Sequence, residues 1–136
     1  MKQSMQELEE EIIADLEELS DVLSQFTYIV ECGKEAAVFP EEFRKDEYLI
    51  PECQVKTWMA SVWENGILKF YADSEAAIIR GALSLLAEIY DGRTRDEIGR
   101  FSCTLIENEM FAVHFTQQQR TGIKVILNRL LKEAQI

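Results

Sequence analysis

The chain has 136 residues, 47% of them hydrophobic, and a formal net charge of −11. That size and apolar share suit one domain with one core, and the charge argues against nucleic acid or an anionic membrane surface as partner, because phosphate affinity rests on Lys and Arg. Apolar runs such as Leu85-Leu86-Ala87 are far shorter than the roughly 20 residues that span a bilayer, so no membrane segment is expected.

The acidity is concentrated early. Residues 1–50 hold fourteen Asp and Glu against four Lys and Arg, whereas residues 51–136 hold eleven against ten. The plainer meaning is a solvated helix face; the sharper one is an orientation toward a basic partner surface. The first residues lack the basic-then-apolar pattern of an export signal, so a cytoplasmic location is expected. Cys32, Cys53 and Cys103 are odd in number and widely spaced, which suits thiols in a reducing compartment better than a disulfide framework. With one histidine and no CxxC pair, no structural metal site is expected.

From Gln6 to Lys34 the apolar residues Leu8, Ile12, Leu16, Leu19, Leu23, Phe26 and Val30 recur at helical steps. Ser20-Asp21 can restart the helix as a new N-cap, and Gly33 reads as its C-terminal stop. Cys32 reads as a small packed side chain. Residues 34–52 form a long charged connection, in which Pro40 can open a single helical turn; connections of that length tend to be functional. Residues 54–64 favour a strand, Asn65-Gly66 supplies a tight hairpin turn, and Ile67 to Ala72 return as a second strand. Leu68, Phe70 and Ala72 then share one face, and Ile67, Lys69 and Tyr71 the other.

Asp73-Ser74 ends that strand and caps a largely buried helix from Glu75 to about Tyr90, with Gly81 inside it marking a close contact. Thr94-Arg95-Asp96-Glu97 is a capping box for a short helix. Phe101 to Phe115, with Cys103, fits either a short third strand or a loop with a brief helix. Thr116 to Gln119 is a second capping box, opening a terminal helix to about Ala134 with Ile123, Ile126, Leu127, Leu130 and Leu131 inward.

The usual catalytic constellations are missing: no GxSxG elbow, no phosphate-cradling glycine loop, no GxGxxG. Acidic pairs fall on solvated helix faces, and His114 sits in an apolar run that suits a packed, hydrogen-bonded ring. Cys53 differs. Pro51 fixes its own φ and pushes Ile50 toward extended geometry, so the thiol is presented at a loop–strand junction. A nearby cation would raise its thiolate fraction, with Lys56 close in sequence and Arg80 and Arg120 able to approach in space. Glu52 acts in the opposite direction.

Cys53-Gln54-Val55-Lys56-Thr57-Trp58 resembles the Gly-Cys-Gln-Ser-x-Val-Trp motif of SufE/CsdE-type sulfur acceptors. Three further stretches agree in order: Phe26 to Gly33, Ala72 to Gly81, and His114 to Gly122. Together they cover about residues 20–133, leaving an acidic N-terminal helical extension at about 1–19 on a single SufE-like domain. Glu52 stands where the motif has glycine, Val55 where it has serine, and Thr57 where it has valine.

The resemblance implies an α+β fold of SufE/NifU-like type, a small antiparallel sheet with helices mainly on one side. It implies that Cys53 takes persulfide sulfur from a cysteine desulfurase, a pyridoxal phosphate enzyme, and passes it to an iron–sulfur scaffold or another acceptor. No metal or cofactor of the chain's own is implied. Asp73, Arg80, His114 and Arg120 match family positions, with Asp73 and Arg120 expected to shape the pocket around the cysteine. A non-catalytic desulfurase-binding module of the same fold is the alternative, a peroxide-sensing thiol a third; a homodimer stays open.

Overall fold

The computed structural model describes residues 3–135. Helix α1 (Met5–Glu18) opens with a capping box in which Ser4 accepts from the Glu7 N–H and Glu7 reaches back to Ser4. Helix α2 (Val22–Glu35) starts at Asp21, whose carboxylate accepts from the Ser24 N–H. The expected long helix is therefore two, broken at the Ser20-Asp21 signal.

Met5, Ile12 and Leu16 bury the inner face of α1, so the acidic stretch joins the same core as the rest of the chain. In α2 the buried face differs from the expected stripe. Gln25, Ile29 and Gly33 point inward, while Leu23 and Phe26 are 74% and 39% exposed. Backbone proximity selects that face. A Cβ on Gly81, inside helix α3 (Ala77–Tyr90), would collide with the Ile29 carbonyl, and one on Gly33 would fall 2.8 Å from the Gly81 nitrogen. Gly33 is thus not a helix stop but part of a glycine crossing, and α2 continues to Glu35.

Strands β1 (Thr57–Glu64) and β2 (Ile67–Ser74) form an antiparallel hairpin, Thr57 opposite Ser74 and Glu64 opposite Ile67. Asn65 and Gly66, at φ 53° and 76°, supply the left-handed turn that matches strand twist. Because side chains alternate, the hairpin has two distinct faces. Thr57, Met59, Leu68, Phe70 and Ser74 share the face toward the helices, with Met59 and Leu68 fully buried there. Trp58, Tyr71 and Asp73 lie on the other face. That face is covered by the 36–50 connection, whose two 3-10 turns (Glu41–Phe43 and Asp46–Tyr48) bring Phe43 against Tyr48 and Tyr71.

Helix α4 (Arg95–Arg100) carries the Thr94–Glu97 capping box. After it the chain forms a 3-10 turn (Leu105–Glu107) and the short helix α5 (Glu109–Ala112) instead of a third strand. The buried Glu9 carboxylate decides this by accepting from the Thr104 and Leu105 N–H groups, which a neighbouring strand would otherwise need. Helix α6 (Gln117–Ala134), capped by Thr116, closes the core with Ile123, Ile126 and Leu130. Its far end is fastened to β1 by Ser61 and Trp63, which donate to Glu133. The result is an α+β protein with a two-stranded sheet among the described residues, and no helix there is long and apolar enough to cross a membrane.

Candidate functional site

The loop holding Cys53 is closed at its base. The Ile50 N–H donates to the Thr57 carbonyl at 2.8 Å, and the Glu75 N–H donates to the Lys56 carbonyl at 3.0 Å. Between these clamps Pro51 starts a turn in which the Cys53 N–H donates to the Ile50 carbonyl at 3.1 Å. The thiol is half-buried and turned toward α6. A Cβ on Gly122 would sit 2.7 Å from the Cys53 sulfur, so the absence of a side chain at Gly122 makes the seat for this thiol.

Beside the sulfur lies a cavity of about 120 Å³, lined by Val55, Thr57, Ile79, Gly122, Ile123 and Ile126, with Gln118 and Gln119 at the α6 end. Burial pushes the Cys53 thiol up from its ordinary pKa, the Thr57 hydroxyl pulls it partly back, and the Glu52 carboxylate adds to the rise. The resting group is therefore a neutral thiol, and no cation among the described residues offsets its burial.

Asp73 and Arg80 lie elsewhere. Asp73 is on the opposite face of the hairpin from Thr57, bound to Arg44 at 2.8 Å and to Arg80 at 2.9 Å, with its other contact the Ser74 N–H. Burial alone would raise its pKa, but Arg44, the Ser74 N–H and Arg80 outweigh it and hold the carboxyl below its ordinary value. Arg44 also lies over the rings of Phe39 and Trp58, at 4.9 and 4.8 Å from their centroids. This cluster fastens the 36–50 connection to the sheet and leaves the cavity beside Cys53 untouched.

His114 is not among the cavity's lining residues. Its Nε2 lies 3.2 Å from Gln25 Oε1, and the Gln25 amide in turn donates to the Leu16 and Leu19 carbonyls. It thus joins the start of α6 to the break between α1 and α2, and burial lowers its pKa. Arg120 is on α6 two residues before Gly122, and its Nε is buried without a hydrogen-bond partner among the described residues.

Cys32 is half-buried, with its thiol pushed up by burial. Cys103 packs near Tyr90 and Glu9, and burial raises it to about 12. Burial thus raises these two thiols in the same direction as that of Cys53.

The residues that shape the Cys53 seat without having been singled out for it are Gly122 and Thr57. An isolated glycine inside a helical pattern signals close approach, but the group that approaches is set by how α6 crosses the loop.

The fold and site define an α+β protein that seats the Cys53 thiol over a small, mostly apolar cavity; among the described residues there is no cluster of ligands for a metal. The SufE family model, described as an Fe-S metabolism associated domain, matches residues 10–134, and the chain belongs to that family. It is 30% identical over 111 residues to the cysteine desulfuration protein SufE of Wigglesworthia glossinidia brevipalpis, covering 81% of this chain and 77% of that one. It is 28% identical over 132 residues to an uncharacterized SufE-like protein of Rhizobium etli, covering 93% and 89%. Among solved structures, a hypothetical protein from Thermus thermophilus shares the fold at a TM-score of 0.68 and 16% identity, over 94% of this chain and 93% of that one.

Proposed function

We propose that the chain accepts sulfur from the persulfide of a cysteine desulfurase onto Cys53 and passes it to an iron–sulfur scaffold or another acceptor. The Cys53 thiolate attacks the outer sulfur of the donor persulfide. A new S–S bond forms on Cys53, the donor's S–S bond breaks, and the donor cysteine leaves as a thiolate. The exchange has no net oxidation, and the Cys53 proton goes to solvent. The observation that carries this reading is the seat itself: the sulfur lies against Gly122 with a cavity of about 120 Å³ beside it. That space is several times what one water needs and mostly apolar, so it can shelter an added sulfur from bulk solvent.

The closed thiol is the resting form. To reach a donor, the 51–56 loop must turn outward about its two clamps, at Ile50 and Thr57 and at Lys56 and Glu75. A reducing, cytoplasmic setting suits a chemistry that needs a free thiol.

A second reading, a binding module that accepts no sulfur, draws on the raised thiol and the neighbouring Glu52. Intact mass after incubation with a desulfurase and cysteine separates the two. Sulfur transfer adds about 32 Da, one sulfur atom, and Cys53→Ser abolishes the adduct. Binding to the desulfurase without any adduct would overturn the transfer reading.

A further inference from the structure

Beneath Cys53 lie two hydroxyls that the transfer scheme does not yet use. Thr57 and Ser74 are 1% and 0% exposed, and they face each other across the open end of the hairpin with their oxygens 2.9 Å apart. Ser74 Oγ accepts from the Ala76 N–H at 3.2 Å, where the chain enters the fourteen-residue helix α3. Thr57 Oγ1 lies 3.2 Å from the Val55 carbonyl, Thr57 and Cys53 line the same cavity, and the Thr57 hydroxyl draws the Cys53 thiol's pKa down.

A threonine hydroxyl has one hydrogen to give. With Cys53 a thiol, that hydrogen goes to the Val55 carbonyl. With Cys53 a thiolate, the sulfur is the stronger acceptor in the same loop, and a rotation about the Thr57 Cβ–Oγ1 bond redirects the hydrogen to it. Ser74, already accepting from the Ala76 N–H, donates its own hydrogen to Thr57 Oγ1. The chain from Ala76 N–H through Ser74 and Thr57 then points every donor toward the sulfur and draws on the helix N-terminus behind it.

Packing alone does not call for this pair. Valine fills the volume of threonine in a strand, and Thr57 stands where the resembling motif has valine, just as Val55 stands where it has serine. The hydroxyl of this loop has moved from two residues after the cysteine to four.

We propose that Thr57 is a catalytic residue of the sulfur transfer, holding the Cys53 sulfur as an anion through its hydroxyl, and that Ser74 is the positioning residue that orients it. The proposal rests on the transfer reading above for its role, but not for its test. The charge acting on Cys53 is Glu52, from its own loop. Helix α6 faces the cavity with Gln118, Gln119, Gly122, Ile123 and Ile126, and α3 with Ile79, none of them charged.

The test is the pH profile of Cys53 alkylation by iodoacetamide, read by peptide mass so that Cys32 and Cys103 are counted apart. In Thr57→Val the rate at neutral pH falls about tenfold and converges with the unsubstituted protein at high pH, where every thiol is ionised. Thr57→Ser restores it to within about twofold, and Ser74→Ala slows it about threefold. Thermal unfolding identifies any variant that has lost the fold; should Thr57→Val be one, Ser74→Ala against Thr57→Ser carries the same comparison. Alkylation profiles that superimpose on that of the unsubstituted protein would overturn the proposal. No desulfurase enters the assay. A shifted profile in a chain that never accepts sulfur would leave Thr57 as the thiolate's partner and remove the transfer reading; sulfur uptake with an unshifted profile would do the reverse.

Discussion

The two faces of one hairpin treat burial in opposite ways. On the helix side, Cys53 sits against Gly122 and apolar side chains, and burial, less a partial offset from Thr57, leaves the thiol protonated. On the outer side, Asp73 is buried too, yet two arginines and a backbone N–H keep it ionised. Desolvation favours the neutral form at both places; what differs is the presence of a compensating charge. A charge held by three donors is fixed in place. The outer cluster therefore serves as anchor, and the inner cavity as the seat of a neutral thiol.

The most direct way to break this contrast is to fill the seat. Gly122→Ala puts a Cβ where the Cys53 sulfur now lies, so the loop is expected to hold its thiol outward. Alkylation of Cys53 should rise about tenfold, while the helix gains up to about 1 kcal/mol from losing a glycine. Unchanged alkylation would mean that the loop is not seated by α6.

Asp73→Asn tests the anchor. Two charge-assisted bonds are weakened on arginines that remain partly solvated, so the expected loss is about 1–2 kcal/mol in urea unfolding. Cys53 alkylation should stay within about twofold of the unsubstituted rate, because the cluster is on the other face. A larger effect on the thiol would join the two regions that the geometry separates.

The pH dependence of that anchor has a definite sign. The folded Asp73 pKa lies below its ordinary 3.8, so its contribution is complete above that value and is lost as pH falls through the lower, folded value. Acid unfolding of the native chain should include this loss, and Asp73→Asn should flatten that part of the stability profile.

The smallest expected effect is that of Glu52→Gly. Removing the carboxylate lowers the Cys53 pKa and frees the backbone next to Pro51, so alkylation at neutral pH should rise about two- to threefold. A fall in rate would show that Glu52 holds the loop open instead of opposing the thiolate.

Most of the local structure was legible because it depends on neighbours in sequence. The Ser20-Asp21 break, the Asn65-Gly66 hairpin, and the Thr94 and Thr116 capping boxes all stand where short-range chemistry puts them. Cys53 is singled out on the same short-range ground, its motif and proline-led loop being contiguous. What failed was orientation. Leu23 and Phe26 lie on the apolar stripe of α2 but face outward, because Gly33 and Gly81 bring the helix backbones together on a different face. Glu9 and Thr104, far apart in sequence, decide that residues near Cys103 form a turn and not a strand.

The sequence by itself singled out one thiol, because proline, cysteine and the strand that follows act over a few bonds. Only the tertiary structure decided what surrounds that thiol. Gly122 comes from a helix about seventy residues further along, and Ser74 reaches Thr57 through strand pairing. Asp73 and Arg80, close to Ser74 in sequence, are carried away from Cys53 by strand alternation and by their bonds to each other. A one-residue step along a strand reverses the face, and that reversal separates anchor from seat.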